Sequence, residues 1–327
     1  MVGTAAGRVL CLAPDGGTRW SFDAKGGVRA VHLADVDGDG RQEVMVGTKD
    51  CVLHVLDGDG RVRWEHLFPP GSGMRAQRLM VISSADLGGD GRTQILAGTE
   101  GWLFHAFEAD GTLRWQTETH YHCVTGCLPV DLDGDGKQEV MVGTEYYTMN
   151  CLNPDGTGRW RKRSGCVSPT ILAADLDGDG RPEVLYGDWR GVLAVRGEKA
   201  ETVWTHNLGG EMEDLALADV DGDGKLEAIA GSDVGQLACF RADGTPVFRR
   251  DLIDKITWLT ALDADGDGKA EIAVGFGTGE VRLYDGSGAL LAGQAVDGEV
   301  THLRAVAAEG DVLCATAAGT VNLLRPV

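Results

Sequence analysis

Carboxylate side chains recur in this sequence in short clusters, each with three aspartates at alternate positions and a glutamate four residues after the last of them. Residues 33–44, LADVDGDGRQEV, contain one such cluster. Aspartates at loop positions 1, 3 and 5, a backbone carbonyl at position 7 and a glutamate at position 9 supply only oxygen ligands, which suits Ca²⁺ better than a soft metal. Glycines such as Gly38 and Gly40 allow the loop to turn tightly around an ion. The predicted metal ligands are Asp35, Asp37, Asp39, Glu43, Asp131, Asp133, Asp135, Glu139, Asp175, Asp177, Asp179, Glu183, Asp219, Asp221, Asp223, Glu227, Asp263, Asp265, Asp267 and Glu271.

These clusters account for the charge of the chain. The five intact copies hold 20 carboxylates, which matches the formal net charge of −20. Carboxylates at this spacing repel one another unless a cation lies between them, so we interpret the clusters as about five calcium sites. The alternative is an Asp-Gly turn without metal. A sixth copy begins at Asp86 but has Gly88 and Gln94 at ligand positions, and we expect it to bind metal weakly or not at all.

The sequence around each cluster is also repeated, and the last three intervals between copies are 44 residues each. An apolar segment leads into the cluster, and segments such as EVMVGT, VLHVLDGDG and RVRWEH follow it. Each unit therefore predicts four short strands separated by turns rich in Gly and Asp. Four-stranded units of about 40 to 50 residues, repeated along a chain, are typical of a β-propeller. The predicted fold class is all-β, with the acidic loops between the first and second strands of four-stranded blades.

The repeats also predict how the chain is organised. We expect one domain over residues 1–327, with six repeats over 28–298 and a degenerate last blade over 299–327. Residues 1–27 match the second, third and fourth strands of a unit and predict a partial blade at the ring closure. Its last strand, near residues 18–22, would complete the C-terminal blade. Seven blades are favoured, with two N-terminal strands in surplus, and eight blades are the alternative.

Composition excludes two classes of partner. The charge of −20 argues against nucleic acid, because phosphate binding requires clustered Lys and Arg. No apolar run approaches the roughly 18 residues that cross a bilayer, and no secretory signal opens the sequence. We therefore expect a soluble chain without membrane insertion, in which any export signal has been removed or never existed.

The segment ADVDGDGRQEVMVGT resembles the FG-GAP or VCBS repeat of integrin α-chain propellers and of bacterial exported propellers. VLDGDGRVRWE is similar to the tryptophan-bearing repeats of PQQ-type propellers, with Trp20, Trp64, Trp115, Trp160 and Trp204 at equivalent places. One tryptophan per unit predicts packing between blades. The resemblance implies that calcium is structural and that function lies on the face opposite the calcium loops. The chain departs from integrin repeats in their phenylalanine-glycine and glycine-alanine-proline signatures, so integrin-like ligand recognition is not carried over.

Residues that break the repeat predict a ligand face opposite the acidic loops. Aromatic rings surrounded by charged and imidazole groups suit sugar rings, which stack on aromatic faces and accept hydrogen bonds through their hydroxyls. We predict a carbohydrate or another extracellular ligand, such as a protein. The predicted ligand-binding residues are Trp102, Tyr121, His122, Tyr146, Tyr147, Trp189, Arg190, Glu213 and Trp258.

Two other functions are consistent with the same residues. The resemblance extends loosely to propeller-based polysaccharide lyases, in which His122 and Tyr146 would serve as base and acid and Arg78 or Arg190 would hold the uronate carboxylate. The second alternative is a structural or adhesion module of a larger protein. Alone, any one of these aromatic residues is better explained by packing than by ligand binding.

The eight cysteines do not predict a disulfide framework. Cys11, Cys151 and Cys239 occupy the same place in their repeats and predict small interior residues of third strands. An alternative for the segment HYHCVTGC is a zinc site formed by His120, His122, Cys123 and Cys127, although the spacing matches no common zinc pattern. Because loops of modest affinity need millimolar calcium, we expect an extracellular, cell-surface or periplasmic protein.

Overall fold

The structure is a computed structural model. It describes residues 1–13, 15–70, 76–119, 123–146, 148–163, 170–189, 191–196, 199–306 and 310–325, and for 192–196 it describes the backbone alone. Within these ranges the secondary-structure elements are all β-strands, and all the paired strands are antiparallel.

The strands follow one another as up-and-down meanders. The N-terminal sheet contains β1 (Val2–Gly3), β2 (Arg8–Leu12) and β3 (Thr18–Asp23). The strands of blades 1, 2 and 3 are β4 (Val28–Ala34), β5 (Glu43–Thr48), β6 (Val52–Leu56), β7 (Val62–Leu67); β8 (Leu79–Ala85), β9 (Gln94–Thr99), β10 (Leu103–Phe107), β11 (Leu113–Glu118); and β12 (Val124–Val130), β13 (Glu139–Thr144), β14 (Thr148–Leu152), β15 (Gly158–Arg163).

The second half of the chain repeats this order. The strands of blades 4, 5 and 6 are β16 (Ile171–Ala174), β17 (Glu183–Asp188), β18 (Gly191–Arg196), β19 (Glu201–Asn207); β20 (Met212–Ala218), β21 (Glu227–Ser232), β22 (Gln236–Phe240), β23 (Pro246–Asp251); and β24 (Ile256–Leu262), β25 (Glu271–Phe276), β26 (Glu280–Tyr284), β27 (Leu290–Ala295). Blade 7 contains β28 (Val300–Val306), β29 (Asp311–Thr316) and β30 (Val321–Leu324).

This order confirms the predicted fold class, a β-propeller with seven blades. Within the described residues, blades 1 to 6 have four strands each and blade 7 has three. Strand β3 pairs with β2 in the N-terminal sheet. The placement of residues 1–27 at a ring closure, and the prediction of one domain, stay predictions. By contact density the chain divides into two compact units, Met1–Val167 and Ser168–Val327.

Burial explains why each blade has this order of strands. The second strand is buried along its whole length in blades 1 to 6, as in β5 (EVMVGT), because other strands cover both of its faces. The fourth strand is the outer one, and in β7 exposed and partly buried residues alternate. Side chains of adjacent blades meet between the sheets, where Met45 and Val55 of blade 1 pack with Leu79 and Ile82 of blade 2.

Four of the five repeated tryptophans, Trp20, Trp64, Trp115 and Trp204, lie between neighbouring sheets, as predicted. The indole Nε1 of Trp64 donates to the carbonyl of Ala109 in blade 2 at 2.8 Å, and Trp20, Trp115 and Trp204 make the same bond to the following sheet. Gly60 faces the ring of Trp20 with φ of 83°, and a Cβ at this position would lie 2.7 Å from the ring. This turn therefore needs glycine both for its conformation and for the close approach of the indole.

No helix long and apolar enough to cross a bilayer occurs in the part of the chain that the structure describes.

Candidate metal centres and the opposite turns

The five acidic loops connect the first and second strands of blades 1, 3, 4, 5 and 6, as predicted. In each loop three carboxylate oxygens from three different residues lie within 4.8 Å of one another. The residues of these five groups are Asp35, Asp37 and Asp39; Asp131, Asp133 and Glu139; Asp175, Asp177 and Glu183; Asp219, Asp221 and Glu227; and Asp263, Asp265 and Glu271. Carboxylate oxygens that converge at this distance can share one hard cation, so the donor set fits Ca²⁺.

Backbone amides orient the first aspartate of each loop. In blade 1 Gly38 N donates to Asp35 Oδ1 at 2.7 Å and Gly40 N donates to Asp35 Oδ2 at 2.9 Å. Gly38 and Gly40 have φ of 77° and 84°, values that favour glycine, while a Cβ on either would meet no atom within 4 Å. The predicted role of these two glycines is therefore confirmed, and it is conformational.

The same hydrogen bonds affect acidity in blade 5. Desolvation acts to raise the pKa of Asp219, but the amides of Gly224 and Gly222 outweigh it, so that the pKa lies below its usual value. The first aspartate is therefore held in its ionised form, which is the form that binds a cation.

The glutamate at position 9 has a second role that the sequence pattern did not indicate. It is the first residue of the second strand, and it is buried in all five loops. In blade 1 Val36 N donates to Glu43 Oε2 at 3.1 Å, and the glutamates of the other four loops accept a hydrogen bond from the same loop position. Burial raises the pKa of Glu139, Glu227 and Glu271. One oxygen of each glutamate thus fixes the loop through the backbone.

Some predicted ligands lie outside the converging groups. In blade 1 the group contains Asp39 but not Glu43, whereas in the other four loops it contains the glutamate and omits the third aspartate. The omitted aspartates are Asp135, Asp179, Asp223 and Asp267. Their coordination of a metal, like that of Glu43, stays a prediction.

The degenerate loop of blade 2 closes without a group of this kind among the described residues. Leu87 N donates to Gln94 Oε1 at 3.0 Å, which preserves the bond that the glutamates make elsewhere. Arg92 pairs with Asp90 at 2.6 Å. Gln94 therefore keeps the structural role of position 9 without its charge.

In the first unit the structure describes two of the predicted ligand residues, and both lie in turns between a second and a third strand. These turns are at the end of the second strand opposite the acidic loop. Tyr146 is 53% exposed, between β13 and β14. Trp102 precedes β10 and has φ of 76°. Arg78 pairs with Glu100, two residues before Trp102, at 3.1 Å. Trp102 and Tyr146 thus lie at the strand ends opposite the acidic loops, where the sequence predicted a ligand.

In the second unit Trp189 directly follows β17 and is 52% exposed. Glu213, in β20, forms an ion pair with Lys255 at 3.0 Å. Trp258 packs against a core cluster of blades 6 and 7, and its ring lies 4.4 Å from that of His302. These contacts give Trp258 a packing role, whereas Trp189 exposes about half of its surface.

Four predicted ligand residues, Tyr121, His122, Tyr147 and Arg190, lie outside the described residues, as does His120 of the zinc hypothesis. All the described cysteines are free thiols. Cys151 and Cys239 are buried in third strands, as predicted. Burial raises the pKa of Cys123 to about 12 and also raises the pKa of Cys127, so both thiols are neutral in the metal-free chain.

Family models match two parts of the chain. A model described as an FG-GAP-like repeat matches residues 131–186 and 175–230. These segments are FG-GAP-like repeats. A second model, described as outer membrane protein assembly factor BamB, matches residues 1–123. The predicted resemblance is confirmed, with FG-GAP-like repeats in the middle of the chain and a BamB-like segment before them. No curated protein sequence matches the chain.

Solved structures share the fold of this chain at low identity. BamB from Moraxella catarrhalis is 19% identical, with 99% of this chain and 90% of that one covered and a TM-score of 0.70. Sqt1 from Chaetomium thermophilum, bound to the N-terminus of ribosomal protein L10, is 11% identical, with 95% of this chain and 87% of that one covered and a TM-score of 0.74. The exotype rhamnogalacturonan lyase YesX is 17% identical, with 97% of this chain and 65% of that one covered and a TM-score of 0.69. At these identities the similarity shows the fold alone.

Proposed function

We propose that the protein is a calcium-stabilised binding module whose five acidic loops each hold one Ca²⁺. The observation that carries the proposal is that one set of converging carboxylate oxygens occurs at the same place in five blades. The FG-GAP-like repeats contain the loops of blades 3, 4 and 5, and their match to the chain supports the same interpretation.

Chemistry and charge both support calcium in these loops. The donors are all oxygen, and the protein holds each group of three at distances that one hard cation can bridge. Calcium bound there would neutralise part of the net charge of −20 and tie the first strand of the blade to the second.

We propose that the ligand is a carbohydrate or an extracellular protein and that it binds at the turns between second and third strands. Tyr146 and Trp189 support this because each exposes about half of its surface, which is unusual for a residue that only packs. Glu213 and Lys255 add charged groups to the second unit. A periplasmic or extracellular location is consistent with the calcium requirement and with the BamB-like segment.

Of these two kinds of ligand, one specific observation favours a protein. The model that matches residues 1–123 describes an outer membrane protein assembly factor. A module with that role would bind a protein partner and leave glycans unbound.

Metal binding is tested by native mass spectrometry of the calcium-loaded protein. We expect five calcium ions on the wild-type chain and four on Asp265→Asn, which keeps the size of the side chain but removes a charge from the blade 6 loop. A wild-type chain that binds none would overturn the proposal.

Ligand class is tested by incubating the calcium-loaded protein with a glycan array and a polysaccharide panel while absorbance is recorded in the unsaturated-uronate band. Binding without new absorbance supports a carbohydrate-binding module, and new absorbance would replace it with a lyase. Silence in both assays would leave the protein-binding candidate, which cross-linking in periplasmic extract would then examine.

A further inference from the structure

Two arginines of the first unit lie directly against the acidic loops. Arg63, in the fourth strand of blade 1, bonds to Asp37 Oδ2 at 2.5 Å and to Glu43 Oε1 at 2.9 Å. Arg159 has the same place in blade 3 and bonds to Asp133 Oδ2 at 2.7 Å and to Glu139 Oε1 at 2.8 Å. Each guanidinium therefore bridges loop positions 3 and 9 and uses the glutamate oxygen that the backbone leaves available.

The second unit lacks these arginines. In blade 1, Arg63 directly precedes Trp64, the fourth-strand residue that pairs with Val55 of the third strand. At the same position in blades 4, 5 and 6 the chain has Val203, Val247 and Leu291. Blade 5 has a partial substitute in Arg241, which directly follows the third strand. Its guanidinium bonds to Asp221 Oδ2 at 2.9 Å. Among the described residues, no cationic side chain forms an ion pair with the carboxylates of the blade 6 loop, which are Asp263, Asp265, Asp267 and Glu271.

We infer that Arg63 and Arg159 are built-in counter-cations that set the metal requirement of their loops, so that the blade 6 loop needs calcium most and binds it most tightly. The inference rests on the proposed calcium binding. A guanidinium beside two of the ligands already neutralises charge there, which stabilises the metal-free loop. The same positive charge opposes an incoming cation and occupies two oxygens that the cation would use. Blades 1 and 3 are therefore expected to keep their loops closed without metal, with blade 5 between the extremes.

The test is hydrogen–deuterium exchange, resolved to peptides that cover each loop, over a titration with Ca²⁺. We expect the blade 6 loop to exchange fastest without calcium and to reach half-protection at a calcium concentration at least tenfold below that of the loops in blades 1 and 3. Equal midpoints in all three loops would overturn the inference.

The chain supplies its own matched substitutions. Leu291→Arg places the blade 3 arrangement in blade 6 and should raise the calcium midpoint of that loop alone by about tenfold, while slowing its exchange without metal. Arg159→Val does the reverse in blade 3. Leu290→Arg is the control, because it adds the same charge at the neighbouring position, which is not the one that corresponds to Arg63. Leu291 is 55% exposed, so the added arginine does not enter the core.

The outcomes separate this inference from the proposed function. If calcium protects no loop of the wild-type chain, the proposed function fails and the inference fails with it. If calcium protects the loops but Leu291→Arg and Leu290→Arg give the same midpoint, only the inference fails. A shift confined to Leu291→Arg, with the opposite shift in Arg159→Val, supports it.

Discussion

Trp102 has a backbone conformation that most equivalent turns give to glycine. Its φ is 76°, and the same turn position is occupied by Gly7, Gly235, Gly279 and Gly319 with φ between 80° and 89°, and by Cys51 with φ of 65°. A bulky residue with positive φ is strained, and such strain is often found at functional sites. The aromatic ring is thus held at this turn at a cost in stability.

Two substitutions separate the backbone strain from the side chain. We expect Trp102→Gly to be more stable than Trp102→Ala by about 1 kcal/mol, since only glycine adopts this conformation freely. Both remove the indole, so both should weaken the proposed glycan binding equally. Denaturant unfolding measures the first difference, and equal stability of the two variants would remove the argument from strain.

His105 makes folding sensitive to acid. It is 4% exposed, its Nδ1 has no hydrogen-bond partner among the described residues, and burial lowers its pKa from 6.5 to about 4. Because the unfolded chain then takes up a proton before the folded one, this group costs stability as the pH falls from 6.5 toward 4. At pH 5 the cost is about 2 kcal/mol relative to pH 7.

His105→Asn should remove that dependence. Asn150 has the equivalent place in blade 3, where its side chain donates to the carbonyl of Val142 at 3.3 Å, so asparagine fits such a site without titrating. Urea unfolding at pH 7 and pH 5, with calcium held constant, should show a smaller loss of stability in the variant by about 2 kcal/mol. His66 also titrates nearby but is common to both chains. Identical losses would contradict the assignment.

Periodic residues were easier to predict from sequence than paired ones. The spacing of Asp and Gly identified the five loops, because consecutive ligands of one turn are close in sequence. The bond from Val36 to Glu43 and the bridge from Arg63 to the same loop depend on how strands pair, which spacing alone does not specify. His105 illustrates the same limit. Only the strand register shows that His105 corresponds to Asn150 and lies one residue before the position that Cys151 occupies in blade 3.

At the scale of elements, the blade 2 loop shows what a repeat loses when it no longer has the acidic pattern. Gly88 replaces the second aspartate and Gln94 the glutamate, yet the loop still connects β8 to β9 with the position 9 bond intact. A Cβ on Gly88 would lie 3.4 Å from Asp90, an ordinary contact, and its φ is not positive. The backbone of this loop can therefore accept the missing ligands.

The double variant Gly88→Asp with Gln94→Glu should gain a calcium site. We expect native mass spectrometry to find one more calcium ion than on the wild-type chain, because the variant restores the ligand set of the other loops. Gln94→Glu alone is the control, since it adds charge without the second aspartate. If the double variant gains no ion, ligand type is not what distinguishes this loop.

Repeated elements were predictable to the level of individual strands, whereas the ends of the chain were not. The four strands of blades 1 to 6 follow from a pattern seen six times, so each copy supports the others. The N-terminal sheet and blade 7 each show three strands within the described residues, and no second copy indicates how such sheets are completed. Ligand residues are hard to predict for the same reason, because residues that break a repeat have no internal reference.

At the scale of the whole molecule, the proposed calcium sites and the net charge of −20 together predict that salt can replace part of the effect of calcium. Five sites of modest affinity at millimolar calcium would each contribute about 1.4 kcal/mol. We therefore expect a chelator to lower the melting temperature by roughly 10 °C. Magnesium added after the chelator is a control for charge, since it dehydrates reluctantly and demands a tighter octahedral site.

Salt should then recover part of what chelation removes, and only in the metal-free protein. At 1 M ionic strength the Debye length falls to about 3 Å, so repulsion between exposed carboxylates is largely screened. Sodium chloride should raise the melting temperature of the chelated protein by several degrees, but change that of the calcium-loaded protein much less. Calorimetry of both forms at low and high salt makes this comparison. An equal salt response would mean that the acidic loops are not the source of the repulsion, whereas a response confined to the metal-free form would place it in the acidic loops.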